Sequence, residues 1–426
     1  MSRVGVIGLG YVGLTTSVGL AQLGHEVIGY DLDSSRVKLL SNSKPPFHEE
    51  GLEQAISELL KASNLSFTDH LEELGSFRPE FMFICVGTPQ GEAGSTDLAP
   101  FYSAAEKVTP LLSPGGIIVV KSTVPVGTCK RMEDSLKQSD IFVSSNPEFL
   151  REGTAIKDFM EPDRIVVGSS TPEIAKRVMG LYSSIVSPKL ETDLESAELI
   201  KYAANAYLAM RLSFTNDLAN LAEATEANVD QVLLGMGLDK RIGNSFLKPG
   251  PGWGGSCFPK DTRALLAISK IYNLDLPLVE SAILSNEAAL TRSADAIQSL
   301  VGGDLTNKTV AIWGIAFKAD TDDVRDSPSL HIIDILLKRG ATIKAFDPIA
   351  TVPDNVGMSS ASTALEAIQD ADVLAILTEW PEFSKISPER VAAGMKQSRV
   401  YDARRILPDS WRSHFSVFKA LGEVVK

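Results

Sequence analysis

Cysteine is scarce in this 426-residue chain: Cys85, Cys129 and Cys257 are an odd number at distant positions. They build neither a disulfide framework nor a C-x-x-C metal site. Histidine is equally thin, and His25, His48, His70, His331 and His414 share no metal-ligand spacing, so no metal is expected. No uninterrupted apolar run approaches the roughly 18–20 residues that a membrane span needs. Positive charge is also in deficit. With 41 Lys and Arg against 54 Asp and Glu, the formal net charge of −13 opposes a nucleic-acid backbone, and no basic block interleaved with aromatics offsets it. Neither nucleic acid nor membrane is an expected partner, whereas an anionic small molecule stays compatible through a few placed cations and helix N-termini. Met1-Ser2-Arg3 leads straight into strand-like Val4-Gly5-Val6-Ile7 without the apolar core of a secretory signal, so the expected location is cytoplasmic.

What is present has globular proportions, 44% hydrophobic and 22% charged, in a chain too long for one ordinary core. Short apolar runs at Arg3–Ile7, Glu26–Tyr30, Phe81–Val86, Ile117–Lys121, Ile141–Ser144 and Ile165–Val167 alternate with helical patterns. That alternation predicts a parallel, doubly wound α/β sheet. From Thr192 to Leu234 there is no Gly or Pro, and the pattern predicts one very long helix or two in close succession. Such a helix outreaches a small domain and suits a subunit interface. A second α/β pattern starts at Lys308, with strands expected at Thr309–Gly314, Thr342–Phe346, Asp372–Leu377 and Arg399–Asp402. The expected organisation is three domains: a Rossmann-like domain over 1–190, a helical middle domain over 191–300, and a second Rossmann-like domain over 301–426. Asp31 and Asp347 occupy like positions in the two end domains, which suggests a weak pseudo-symmetry.

Gly8-Leu9-Gly10-Tyr11-Val12-Gly13 follows the first strand and opens a helix, and Asp31 stands 18 residues beyond Gly13 at the end of the second strand. This is a dinucleotide-binding fingerprint in its proper context: glycines admit the pyrophosphate to a helix N-terminus, and the carboxylate accepts from ribose hydroxyls. Asp31 would repel a 2′-phosphate and so favours NAD over NADP, although Arg36 nearby works the other way. Val86 and Thr88 follow one strand end and Thr123 another, and in open parallel sheets ligands collect at those ends. Thr88 is equally readable as a loop cap.

Gly254-Gly255-Ser256-Cys257-Phe258-Pro259-Lys260-Asp261 places a thiol, an ammonium and a carboxylate within five residues, behind two glycines. Those are the parts of a covalent active site, although a buried cysteine beside a surface turn fits the same letters. Asn146 to Gly153 sets Glu148 and Glu152 four apart in an expected turn, where backbone N–H groups and Arg151 could hold an anion. On the long helix Glu198, Lys201 and Asn205 line one face, which also suits a plain surface ion pair.

Taken together, the Gly-x-Gly-Tyr-Val-Gly start, Asn146 to Gly153, Lys201-Tyr202-Ala203-Ala204-Asn205, Gly254 to Asp261 and Phe317-Lys318-Ala319-Asp320-Thr321-Asp322-Asp323-x-Arg325 resemble, in order, the motifs of the UDP-glucose/GDP-mannose dehydrogenase family. Pro-Glu-Phe at Phe149 is similar to the UDP-glucose branch, since the branch acting on N-acetylated sugars usually carries Pro-Glu-Arg. The resemblance implies a four-electron oxidation of UDP-glucose to UDP-glucuronate, with two NAD reduced in turn and a homodimer built on the long helix. It makes Cys257 the nucleophile of a thiohemiacetal and then a thioester, and Lys201 and Asn205 the donors to the oxyanion. Asp261 and Glu152 handle water and protons, with the base role undivided between them, and Thr123 positions the water. Glu148, Phe149, Leu150, Arg151, Phe246, Gly254, Lys260, Phe317 and Lys318 become substrate contacts. Arg241 would reach the sugar nucleotide across the dimer, and Arg325 would join the cofactor contacts Gly8, Gly10, Tyr11, Val12, Gly13, Asp31, Arg36, Val86, Thr88, Thr123 and Glu152. Trp253 stands where many relatives carry Phe or Tyr, and it could still stack on substrate. GDP-mannose, dTDP-glucose or another nucleotide sugar is the alternative substrate; a two-electron hydroxyacid or sugar-phosphate dehydrogenase and a non-catalytic NAD-binding regulator are the alternative classes.

Overall fold

The computed structural model describes residues 1–136, 140–351 and 357–424. The backbone divides into two compact units, Met1–Ala204 with Arg263–Leu274, and Asn205–Thr262 with Asp275–Lys426.

The first unit is built on an eight-stranded sheet of β1 (Arg3–Ile7), β2 (Glu26–Tyr30), β3 (Leu65–Thr68), β4 (Phe81–Ile84), β5 (Gly116–Val120), β6 (Ile141–Ser145), β7 (Ile165–Gly168) and β8 (Lys189–Thr192). Their order is β3-β2-β1-β4-β5-β6-β7-β8. Every adjacent pair is parallel except β6 with β7, which meet antiparallel at Ser145 and Gly168. Strands β1, β4 and β5 are nearly continuous apolar runs because helices cover both faces, and their side chains feed two buried clusters, one on each side. β8 is different. Its residues are mostly exposed, as befits an edge strand, and no apolar run announces it.

The second unit carries a six-stranded sheet: β9 (Thr309–Trp313), β10 (Thr342–Phe346), β11 (Ser359–Ser360), β12 (Val373–Ile376), β13 (Arg399–Asp402) and β14 (Val417–Ala420). It is parallel at each junction, in the order β11-β10-β9-β12-β13-β14. Renumbered from its own first strand, that is the order 3-2-1-4-5-6 of the first six strands of the other sheet, so the α/β reading with two Rossmann-like sheets holds.

The internal likeness extends to hydrogen bonds. Gly8 follows β1 with φ +86° and donates to the Tyr30 carbonyl, while Gly314 follows β9 with φ +92° and donates to that of Phe346, both at 2.8 Å. The carboxylate after β2, Asp31, accepts from Leu9 N at 2.7 Å; the one after β10, Asp347, accepts from Ile315 N at 2.8 Å and Ala316 N at 3.0 Å.

Between Thr192 and Leu234 the chain forms two helices, Leu194–Thr225 and Val229–Gly237. The break is local: Glu226 takes φ +57°, and Asn228 caps the second helix by accepting from Gln231 N at 3.1 Å. No helix among the described residues is long and apolar enough to cross a membrane.

Candidate active site

The fingerprint loop follows β1 at the point where strand order reverses, the usual ligand crevice of a doubly wound sheet. Gly8 and Gly13 are required by close approach: a Cβ on Gly8 would lie 3.1 Å from the Cys85 carbonyl oxygen, and one on Gly13 only 1.8 Å from that of Gly8. Gly10 is the opposite case. A Cβ there would meet nothing within 4 Å, and Gly10 is the N-cap of the helix Tyr11–Gln22, so its uncrowded side is open at a helix N-terminus where a pyrophosphate would sit. Val12, in the first turn, is partly buried.

Asp31 is buried and anchored by Leu9 N, by Asp33 N at 3.0 Å and by Arg36 Nη1 at 2.9 Å. Arg36 is thus paired with the carboxylate whose effect it was expected to oppose. These residues fit NAD. Val86 lies partly buried past the end of β4, and its carbonyl accepts from Ser122 Oγ at 2.7 Å. Thr88 Oγ1 donates to the Thr123 carbonyl at 2.9 Å, so Thr88 ties the two strand-end loops together.

Tyr11 does more than occupy the fingerprint. Its hydroxyl donates to Glu49 and lies 3.3 Å from the Arg151 carbonyl, while Gly153 N donates to both Glu49 Oε2 at 2.8 Å and Tyr11 at 3.1 Å. Burial, the Glu49 hydrogen bond, and the charges of Glu49 and Glu152 hold the phenol far above its usual range. Glu152 therefore lies close enough to the fingerprint helix for its charge to be felt there. Glu49 was not foreseen, because nothing in Pro45-Pro46-Phe47-His48-Glu49 marks that carboxylate as buried.

The Asn146–Gly153 segment is a turn, as expected, but its anion nest is filled from within. Leu150 N donates to Glu148 Oε2 at 2.6 Å, Arg151 N to Asp158 Oδ2 at 2.9 Å, and Ala155 N to Glu49 Oε1 at 2.6 Å. The Arg151 guanidinium is itself bound to Asp158 at 2.5 Å, an internal ion pair. Lys201 is buried and paired with Glu148 Oε1 at 2.7 Å. Burial works to raise the Glu148 carboxyl, but the Lys201 charge and hydrogen bond, Leu150 N–H and Lys121 outweigh it and hold it below its ordinary value. Phe149 lies under a second cation, with the Arg164 guanidinium 3.6 Å above its ring centroid. Glu198, one turn before Lys201, is no surface charge either. It accepts from Gly127 N at 2.5 Å and Cys129 N at 2.7 Å, at the start of the helix Thr128–Ser135.

The thiol loop ends in a helix, Phe258–Ile271, whose first turn belongs to the second unit. Cys257 is its N-cap residue, since its carbonyl accepts the first helical bond from Asp261 N at 2.9 Å, and it is partly exposed. Among the three cysteines, Cys85 and Cys129 are buried. Asp261, 1% exposed, accepts from Asn205 Nδ2 at 2.6 Å and from Lys260 Nζ at 2.6 Å. Lys260 is thereby committed to a carboxylate.

Gly254 and Gly255 are pressed against the segment Phe317–Asp326: a Cβ on Gly254 would sit 1.9 Å from the Asp326 carbonyl oxygen, and one on Gly255, with φ +83°, 2.8 Å from the Phe317 ring. Arg404 completes this corner by donating to the Phe317 carbonyl at 3.0 Å and to that of Leu377 at 2.7 Å; no sequence motif had marked it. Lys318 lies beside the Phe317 ring, 5.8 Å from its centroid. Phe246 is partly buried, with its ring 6.4 Å from that of Phe258. Arg241 and Arg325 are not gathered into this cluster, for each is exposed and paired two residues back, with Asp239 and Asp323. Trp253 is not an open stacking surface. It is 6% exposed, its Nε1 donates to Ser213 Oγ at 2.9 Å, and its backbone exchanges hydrogen bonds with Asn286, so it belongs to the core.

Comparison with known proteins matches the chain in three consecutive parts of one family: the UDP-glucose/GDP-mannose dehydrogenase family NAD binding domain over residues 2–186, its central domain over 195–288 and its UDP binding domain over 311–409. The UDP-glucose 6-dehydrogenase TuaD of Bacillus subtilis (strain 168) is 39% identical over 416 residues, 95% of this chain and 90% of that protein. The UDP-glucose 6-dehydrogenase of Rickettsia typhi (strain ATCC VR-144 / Wilmington) is 39% identical over 412 residues, 94% of each chain. Among solved structures, a UDP-glucose dehydrogenase from the hyperthermophilic archaeon Pyrobaculum islandicum aligns with a TM-score of 0.91 at 33% identity, over 100% of this chain and 98% of that one. Matched in all three parts and along nearly its whole length, this chain belongs to the UDP-glucose/GDP-mannose dehydrogenase family.

Proposed function

We propose that the protein is an NAD-dependent UDP-glucose 6-dehydrogenase that converts UDP-glucose to UDP-glucuronate in two successive oxidations. The observation that carries this reading is the second unit's thiol corner: a partly exposed Cys257 at a helix N-cap, one turn before a buried Asp261 held by Asn205 and Lys260. A two-electron dehydrogenase has no use for such a thiol.

NAD, when bound, would accept one hydride from the C6 carbon in each oxidation. The chain's own groups do the rest. An aldehyde has no second hydride to give until a nucleophile adds, so the Cys257 sulfur bonds to C6 and gives a thiohemiacetal. Loss of hydride leaves a thioester, and water then displaces the sulfur, giving the carboxylate and restoring the thiol. Asn205, oriented by Asp261, is an N–H donor for oxygen at C6, and Lys201, its charge balanced by Glu148, is the cation for that oxygen. Asp261 and Glu152 are the two carboxylates available to take the proton of the attacking water, with Thr123 as its positioning hydroxyl. Glu148 to Arg151, Phe246, Gly254, Lys260, Phe317 and Lys318 remain the substrate-contact set, and Arg325 a cofactor contact.

The organisation proposed with this activity keeps an NAD domain over 1–190, a helical part over 191–300 and a nucleotide-sugar domain over 301–426, in a cytoplasmic homodimer. Tyr207, Phe214 and Leu221 support the dimer, being exposed at seven-residue spacing along the long helix, with Arg241 reaching the partner's substrate.

Turnover of a panel of nucleotide sugars, with NADH counted per sugar consumed, tests the reading. Two NADH per UDP-glucose are expected, and a ratio of one would remove the thioester route. Cys257→Ala should lose the second oxidation; uronate released at the normal rate would make Cys257 a structural residue.

A further inference from the structure

The first unit contains a second buried ammonium besides Lys201. Lys121 directly follows β5, is 5% exposed, and points its Nζ at both oxygens of one residue, Asn146 Oδ1 at 3.2 Å and Asn146 O at 3.5 Å. Asn146 is a hub. The same Oδ1 accepts from the Tyr182 hydroxyl at 2.6 Å, and Nδ2 donates to the Val166 carbonyl on β7 at 2.8 Å. Three pieces of chain therefore clamp the residue that launches the turn bearing Glu148, and Pro147 stiffens the single step between them.

No carboxylate among the described residues pairs directly with Lys121, a costly arrangement for a buried charge. The charged and titratable groups whose fields reach its Nζ are Glu148, Lys201 and the Cys85 thiol. Burial, and then the Lys201 charge, lower the ammonium against the pull of Cys85 and Glu148, to about 8. Lys121, Asn146, Glu148 and Tyr182 also border a cavity of roughly 60 Å³, which leaves room beside the ammonium.

We infer that Lys121 is a positioning residue for the Glu148–Lys201 ion pair: it fixes Asn146, which launches the turn bearing Glu148, and adds a second positive charge beside that carboxylate. Its retention in a buried place is then functional, because a neutral side chain of the same length would pack there at lower cost. The inference rests on the proposed role of Lys201 in the oxidation.

The test compares the full-length wild type with Lys121→Met and Lys121→Arg, using UDP-glucose and NAD. Methionine keeps length and loses charge; arginine keeps a charge that does not titrate in the accessible range, and the cavity accepts its extra bulk. Lys121→Met should lower kcat about tenfold with KM for UDP-glucose within about threefold, a split expected when an interaction of the transition state is lost. Lys121→Arg should retain most of the kcat at neutral pH and move the alkaline fall of the pH–rate profile upward. Equal losses in the two variants, or unchanged kcat and profile in Lys121→Met, would overturn the inference. Should Lys121→Met fail to fold, the arginine profile decides alone: a shifted alkaline limb supports the inference and an unshifted one overturns it. Failure of the parent reading is separate, because it would show as wild-type enzyme that does not yield two NADH per UDP-glucose.

Discussion

Asn205 Nδ2 donates to Asp261 Oδ2 at 2.6 Å, while the other oxygen of that carboxylate accepts from Lys260 at the same distance. Asp261 is thus held as an acceptor on both sides and orients Asn205, and with Glu152 it is one of the two carboxylates proposed to take the proton of the attacking water. Asp261→Asn should lower kcat by about 10²-fold or more, the usual scale for losing a positioned acid–base group. Intact-mass measurement after quenching separates the two candidate bases. If Asp261 is the base, this variant accumulates enzyme carrying the sugar nucleotide as a thioester and Glu152→Gln does not; the reverse pattern assigns the role to Glu152.

The Glu148–Lys201 pair makes a prediction about stability. Glu148 is held below its usual carboxyl value in the folded state, so the unfolded chain binds its proton more readily. Its contribution is therefore fully present above the unfolded value, about pH 4.3, and is lost as pH falls through the lower folded value. Glu148→Gln breaks the buried Glu148–Lys201 ion pair, which typically costs about 3–5 kcal/mol. Urea midpoints of wild type and variant should differ by a constant amount from pH 7 to 5 and converge below about pH 4. A gap that stays constant into acid would mean that Glu148 is not the titrating partner.

How much of this was legible in the letters depended on burial. β1, β2, β10 and β13 have the bounds predicted for them, because buried apolar residues mark each one, continuously in β1 and in alternation in β10, where Ile343 and Ala345 are buried and Thr342 is exposed. β3, β8, β11 and β14 are the edge strands of the two sheets; their places follow from pairing with a neighbour, which periodicity does not record. The fingerprint and the Cys257 segment were readable because their chemistry is local in sequence. Asp261 with Asn205, and Lys201 with Glu148, join residues more than fifty positions apart, so each partner was visible only as a type. Glu49, Lys121 and Arg404 act by donating to or accepting from distant backbone and side chains, and such roles leave no motif. The resemblance of the ordered motifs supplied what spacing could not.

The exposed residues Tyr207, Phe214 and Leu221 form a stripe on the long helix that a lone subunit would leave in water. Burial of such side chains is worth roughly 1.5–3 kcal/mol each, enough to matter to an association constant. Phe214→Glu and Leu221→Glu should therefore convert the proposed dimer to monomer in light-scattering measurements at micromolar concentration. Circular dichroism should be retained, because neither side chain belongs to the subunit's own core. Dimers of undiminished stability in the double variant would place the interface elsewhere.

Asp31 and Arg36 together set the expected choice of dinucleotide. In the proposed cofactor site the carboxylate would accept from a ribose hydroxyl and repel a 2′-phosphate, while Arg36, 2.9 Å away, is paired with the same group. Asp31→Ser removes the repulsion and releases the guanidinium. The variant also loses the charged acceptor of Leu9 N, a bond of 2.7 Å that helps shape the fingerprint loop. Two effects of opposite sense follow: kcat/KM for NAD should fall by about 10–100-fold, the scale of a charged hydrogen bond, while that for NADP rises or holds. The diagnostic quantity is the ratio of the two, which cancels any general damage to the loop. A ratio that stays at the wild-type value would show that Asp31 is structural, serving Leu9 and Asp33 as Asp347 serves Ile315 and Ala316 in the other sheet.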